Sequence, residues 1–193
     1  DNHPEVYLIV LLVDERPDLA RVLEEELVPF SRQGEQSEGE APYTMTPVFA
    51  RTARDVFCAW NRNRIQNGIR LPDAPPISPR LREGVEWLDA ILRRPAFLYR
   101  MRLTPGDVQV LSNFTVLHSR TAFRDDPVAG RQRTLFRLWL STPNGCALPP
   151  AWQGKWGAIE PGVVKGGMRG HQYDEHCEAF ERRQAADLGM RLA

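Results

Sequence analysis

The stretch that most limits how this chain folds is RTLFRLWL, residues 133–140. Side chains along a strand alternate between faces. Thr134, Phe136, Leu138 and Leu140 therefore share one side, and Arg133, Leu135, Arg137 and Trp139 share the other. The first side is apolar and belongs in a core. The second sets two guanidinium groups about 13 Å apart along the strand. On the inside of a small barrel both would point into confined space, where a charge is costly unless an anion meets it. A guanidinium offers a planar fork that fits a carboxylate through two parallel hydrogen bonds. On a solvent-facing sheet the same arginines would simply be hydrated. Spacing alone leaves both readings open.

Upstream of this strand, PGDVQVLSNFTVLHSRTAF places a tight turn, an apolar strand and then His118. A lone His at a strand end is either a hydrogen-bonded structural residue or a ligand. Imidazole suits iron, but a metal site needs further ligands brought in by the fold. A His, a loop, and then a strand carrying Arg133 and Arg137 would suit a metal-bound dicarboxylate. The metal would take one end and an arginine the other.

At 193 residues the chain suits one domain, 1–193, large enough to bury a core. Its 25 basic and 25 acidic residues cancel, so charge points to neither nucleic acid nor an anionic membrane as a partner. Cys58, Cys146 and Cys177 are odd in number, widely spaced and without a CxxC. They read as reduced thiols of a cytoplasmic protein, not as a disulfide frame or zinc site. The longest apolar run, 6–13, is too short to span a bilayer and lacks the marks of a signal peptide. The first residue is Asp1 rather than Met, which reads as a processed chain or a fragment.

PEVYLIVLLVDERPDLARVLEEEL reads as two helical pieces, the second starting at Pro17. YTMTPVFA and DVFCAW read as a hairpin-like pair of short strands, and LPDAPPIS as a connector. Ser78 then caps a helix, with Leu81, Val85, Leu88 and Leu92 as its buried stripe. AFLYRMRL, DVQVL and RTLFRLWL are expected strands. Residues 143–193 read as an irregular tail followed by a polar final helix. The expected class is mainly β with flanking helices, in a sandwich or jelly roll.

LTPGDVQVLSNFTVLHSRTAFRDDPVAGRQRTLFRLWLS resembles the C-terminal half of the taurine/2,4-D dioxygenase family, the Fe(II)- and 2-oxoglutarate-dependent oxygenases. The similarity runs from RPDLARVL through TPVFA, WNRNRI and the helix at Ser78, and on to GAIEPGVVKGGM. It implies a double-stranded β-helix, with iron held by two His and one acid. His118 would be the distal His ligand. Arg133 would bind the far carboxylate of 2-oxoglutarate, and Arg137 would contact an acidic substrate. It assigns no catalytic residue beyond the metal centre. The implied reaction is hydroxylation of a small-molecule substrate, with oxygen activated by iron and 2-oxoglutarate and the cosubstrate decarboxylated.

The chain departs from that pattern at its start. The family's HxD or HxE motif and the Gly-Gly segment after it have no counterpart here. His3 and Glu5 have the HxE letters, but Pro4 does not suit a central strand, and the match reads as coincidence. His171, Asp174, His176 and Cys177 match no metal spacing and read as a solvated helix. Arg62 and Arg64 read as solvated arginines of a surface loop. One metal ligand is in place and two are missing, so the jelly roll is expected to be incomplete at its N-terminus. This chain is then not expected to turn over 2-oxoglutarate unaided. An open sheet edge would also favour pairing with another copy. The alternative is a non-catalytic fragment or descendant that keeps an anion-binding jelly roll without iron.

Overall fold

Proline and serine set the helix starts from which the main core is built. The computed structural model describes residues 14–36, 38–101, 103–114, 116–119, 136, 138–165 and 173–193. Helix α1 (Pro17–Glu25) opens on Pro17, whose missing N–H costs nothing at a helix start, and it buries Leu19, Ala20 and Leu23. The chain then turns into β1 (Leu27–Ser31), which pairs antiparallel with β2 (Tyr43–Pro47) so that Phe30 faces Thr44. Strands β3 (Phe49–Arg51) and β4 (Val56–Cys58) form a hairpin, so DVFCAW pairs only with the end of YTMTPVFA, whose first part pairs with β1 instead.

Helix α2 (Arg62–Ile69) is capped by Asn61, whose side chain accepts the Arg64 N–H at 3.0 Å. It lies against β1 so closely that a Cβ on Gly68 would sit 1.8 Å from the Pro29 carbonyl oxygen. Helix α3 (Pro79–Leu92) begins as predicted, with Ser78 Oγ accepting the Leu81 N–H at 2.9 Å. Its buried stripe is Leu81, Val85, Leu88 and Ile91, while Leu92 is only partly buried at the margin. Leu23 of α1 reaches Gly84 of α3, where a Cβ would stand 3.3 Å from Leu23 Cγ. One hydrophobic cluster thus joins both helices, α2 and strands β1, β3 and β4.

The starts of α1 and α3 are also tied by charge. Arg16 donates to Asp18 at 3.0 and 2.9 Å and to Glu83 at 2.7 Å, while Arg80 reaches both Asp18 and Glu83. The Arg16 hydrogen bonds hold the Asp18 carboxyl well below the usual carboxylate range.

Residues 143–165 are more ordered than an irregular tail. A 3-10 turn at Pro150–Trp152 leads into α4 (Gln153–Trp156), and Leu148 and Trp152 are buried beside Ala50, Phe57 and Ala59. A short strand, β5 (Val163–Val164), follows. The final helix α5 (Glu175–Leu188) ends at Gly189, whose φ of 62° turns the chain into β6 (Arg191–Leu192), parallel to β5.

The three expected barrel strands need correction. Among the described residues of 96–103, 107–111 and 133–140 none is in a strand; Pro95–Phe97 is a 3-10 turn. Val108, Val110, Phe136 and Leu138 are exposed. Alternation tells which side chains share a face, but a strand forms only when a neighbouring strand takes up its N–H and C=O groups. No such neighbour lies beside them among the described residues, and these show three two-stranded sheets rather than a closed barrel. The fold class that stands is a mixed one of helices and small sheets. Among the described residues no helix is long and apolar enough to cross a membrane.

Candidate functional site

His118 lies outside helices and strands and is exposed. Its segment is pinned at two points upstream of it. Phe114 enters the smaller cluster, with its ring centroid 6.0 Å from those of Phe57 and Trp152 and 5.5 Å from that of Trp156. Leu117 packs against the main cluster. The next residue is thereby left facing outward. Arg133 and Arg137 lie outside the described residues, as do Arg120, His3, Glu5 and His171. Trp139, however, meets Trp156 at 6.4 Å. Phe114 and Trp139 therefore both meet the ring of Trp156.

Among the described residues no group of three His, Cys, Asp or Glu side chains is placed to hold a metal ion. They do not by themselves make a facial triad. Asp174 is occupied as the cap of α5, accepting the N–H groups of His176 and Cys177 at 3.0 Å each, in keeping with a solvated helix start. Arg64 is not the solvated loop residue expected. Its guanidinium donates to the Ser31 and Arg32 carbonyls at 3.1 Å and to Glu35 at 2.6 Å, which secures the end of β1. A groove of about 530 Å³ between Arg51, Leu148 and Glu160 contains none of the expected site residues.

Sequence reasoning passed over Lys155. Two of the chain's 25 basic residues are lysines, Lys155 and Lys165; the rest are arginines. The Lys155 amine stands 3.9 Å from the Phe30 ring centroid, 5.6 Å from Trp152 and 5.7 Å from Trp156. Lys165 donates a hydrogen bond to the Glu160 carbonyl at 2.9 Å, whereas no hydrogen bond or ion pair of Lys155 is seen among the described residues. The indole N–H groups of Trp152 and Trp156 are likewise buried without an acceptor there. The signal in the sequence was AWQGKW, a lysine set between two tryptophans.

Burial pushes the Lys155 amine down to about 8, with Cys58 acting in the opposite direction and Arg64 adding to the fall. A lysine in the unfolded chain holds its proton to about pH 10.4. Between these values the unfolded chain binds more protons than the folded one. The stability deficit is thus fully present below about pH 8 and is relieved as pH rises toward 10. Urea unfolding of wild type and Lys155→Met at pH 7.5 and 10 should show the variant lacking a rise of roughly 1–3 kcal/mol. Equal pH dependence in the two proteins would rule out a desolvated amine.

Residues 11–139 match the family described as taurine catabolism dioxygenase TauD, TfdA family, and the chain belongs to that family. A similar protein is the FR-33289 synthase of Streptomyces rubellomurinus (strain ATCC 31215), 29% identical over 133 residues. That alignment covers 66% of this chain and 39% of the synthase, so the chain spans well under half of its relative's length.

Proposed function

We propose that the chain is part of an Fe(II)- and 2-oxoglutarate-dependent dioxygenase that hydroxylates a small, acidic substrate. The family match over residues 11–139 takes in His118, Arg133 and Arg137 and supports this reading. Support from the structure is that Phe114, just upstream of His118, packs on the same tryptophan, Trp156, as Trp139 does. In this reading His118 supplies one imidazole to iron, and the other ligands come from outside the described residues. Arg133 grips the far carboxylate of 2-oxoglutarate through its two-pronged donor set, which orients the cosubstrate. Arg137, four residues further along the chain, takes the acidic group of the substrate.

Arg133→Ala should weaken 2-oxoglutarate binding by roughly 1.5–3 kcal/mol, and Arg133→Lys should restore little because the paired geometry is lost. Binding is read without oxygen from the visible band that Fe(II) and 2-oxoglutarate give together in this family. Both this chain and any longer reading frame containing it should be measured. The proposal fails if no protein containing this chain gives the band, or if Arg133→Ala leaves the affinity unchanged. Iron-independent binding of the dicarboxylate would favour the alternative, a non-catalytic protein that keeps the anion pocket.

A further inference from the structure

We propose that residues 107–111, DVQVL, are an interface between two copies of this chain, which pair there antiparallel about a two-fold axis through Gln109. The stretch leaves a tight turn. The Thr104 carbonyl accepts the Asp107 N–H at 3.1 Å across Pro105 and Gly106, and the φ of 95° at Gly106 is the left-handed conformation that such a turn demands. Asp107 closes the turn by accepting the Thr104 N–H at 2.7 Å and its hydroxyl at 3.0 Å. Val108 and Val110 follow, 86% and 87% exposed. Among the described residues no ladder takes up the backbone groups of 108–111. The stretch has the composition of a strand and no strand beside it, which makes it a template for pairing with another chain.

Its sequence selects its own copy. An antiparallel pair of identical strands is unchanged by a two-fold axis at right angles to it, and Val-Gln-Val reads the same in both directions. With the axis at Gln109, Val108 of each copy lies opposite Val110 of the other, and both valine pairs share one face. β-branched side chains pack well in such cross-strand positions. Charge does not oppose the approach. Asp107, the one charged residue of the stretch, is held by its own Thr104, and 25 basic and 25 acidic residues leave the chain without net charge. Gln109 donates to the Met101 sulfur at 3.1 Å, which brings the arm before the turn alongside, with Tyr99 and Met101 exposed on it. A standard interface buries about 800 Å² on each partner, and a five-residue stretch with few neighbours is small against that, so the dimer is reversible. It needs neither iron nor 2-oxoglutarate and does not rest on the dioxygenase reading.

Sedimentation equilibrium of this chain up to about 1 mM should show the mass rising from one chain toward two, as it must for any dimer tighter than millimolar. Val108→Glu with Val110→Glu should weaken association at least tenfold, because like charges then face each other in both pairs. Val108→Lys with Val110→Glu should recover part of that loss, because the same register now sets lysine opposite glutamate twice. Amide exchange gives a second reading on the unaltered chain: residues 108–110 should gain protection as concentration rises. The inference is overturned by a chain that stays single at every concentration, by a dimer that the two glutamates leave intact, or by a lysine–glutamate variant no better than the double glutamate. Protection of 108–110 that does not depend on concentration would also overturn it, since another part of the same chain would then lie on the stretch.

Discussion

Gly68→Ala should destabilise the chain by about 3 kcal/mol or more, the upper end of what overpacking a closed interior costs. Helix propensity alone argues the other way, because alanine in a helix interior is favoured over glycine by about 1 kcal/mol. Contact geometry decides the sign. The added methyl would lie 1.8 Å from the Pro29 oxygen, 2.6 Å from the Pro29 carbonyl carbon and 3.2 Å from the Ser31 nitrogen. These are backbone atoms of a paired strand, and no flexible side chain is available to swing aside. Either α2 lifts from β1, losing the burial of Ile65, or β1 slips against β2. A urea midpoint equal to or above that of the wild type would show that α2 does not pack on β1 in this way.

Trp152→Ala should cost about 3–5 kcal/mol, whereas Trp152→Phe should stay within about 1.5 kcal/mol of wild type. The ring is almost fully enclosed and makes edge-to-face contact with Phe57 at 5.7 Å and a tilted contact with Phe114 at 6.0 Å. Alanine would leave a cavity where β3, β4, the 3-10 turn and the His118 segment meet. Phenylalanine keeps most of the packing and removes an N–H that has no acceptor among the described residues, so its two effects oppose. Comparable losses for the two variants, measured by denaturant unfolding, would mean that the indole N–H matters more to stability than the ring.

Local rules carried part of the fold. The helices at Pro17 and Ser78 were legible because a proline at the first helical position, joined in the second by the Ser78 cap, lies within a few residues of each apolar stripe. The β3–β4 hairpin was legible because its strands, too, are close in sequence. Strand β1 was not. It follows a run of glutamates that reads as continuing helix, and Pro29 argues against a central strand, although an outer position tolerates it. The Arg64 contacts with Ser31 and Glu35 join residues about thirty apart, which periodicity does not report. The family was legible from residues 103–141, and the match over 11–139 agrees. Among the residues named from it, His118 is exposed in the structure, and Arg133 and Arg137 fall outside the described residues. Lys155 was missed because its meaning depends on Phe30, which only the fold brings near.

Each sheet among the described residues has two strands, so each of those strands has one side without a partner. A disturbance in one ladder has no third strand through which to travel. What passes between the ribbons goes through side chains. The units that open and close together are therefore the hydrophobic clusters, not the sheets. The smallest of these units, Val164, Ala185 and Met190, holds β5, α5 and β6 with little apolar area. It should fluctuate apart from the rest at modest cost, while β1 to β4, held by α1, α2 and α3, stay closed until the whole molecule unfolds.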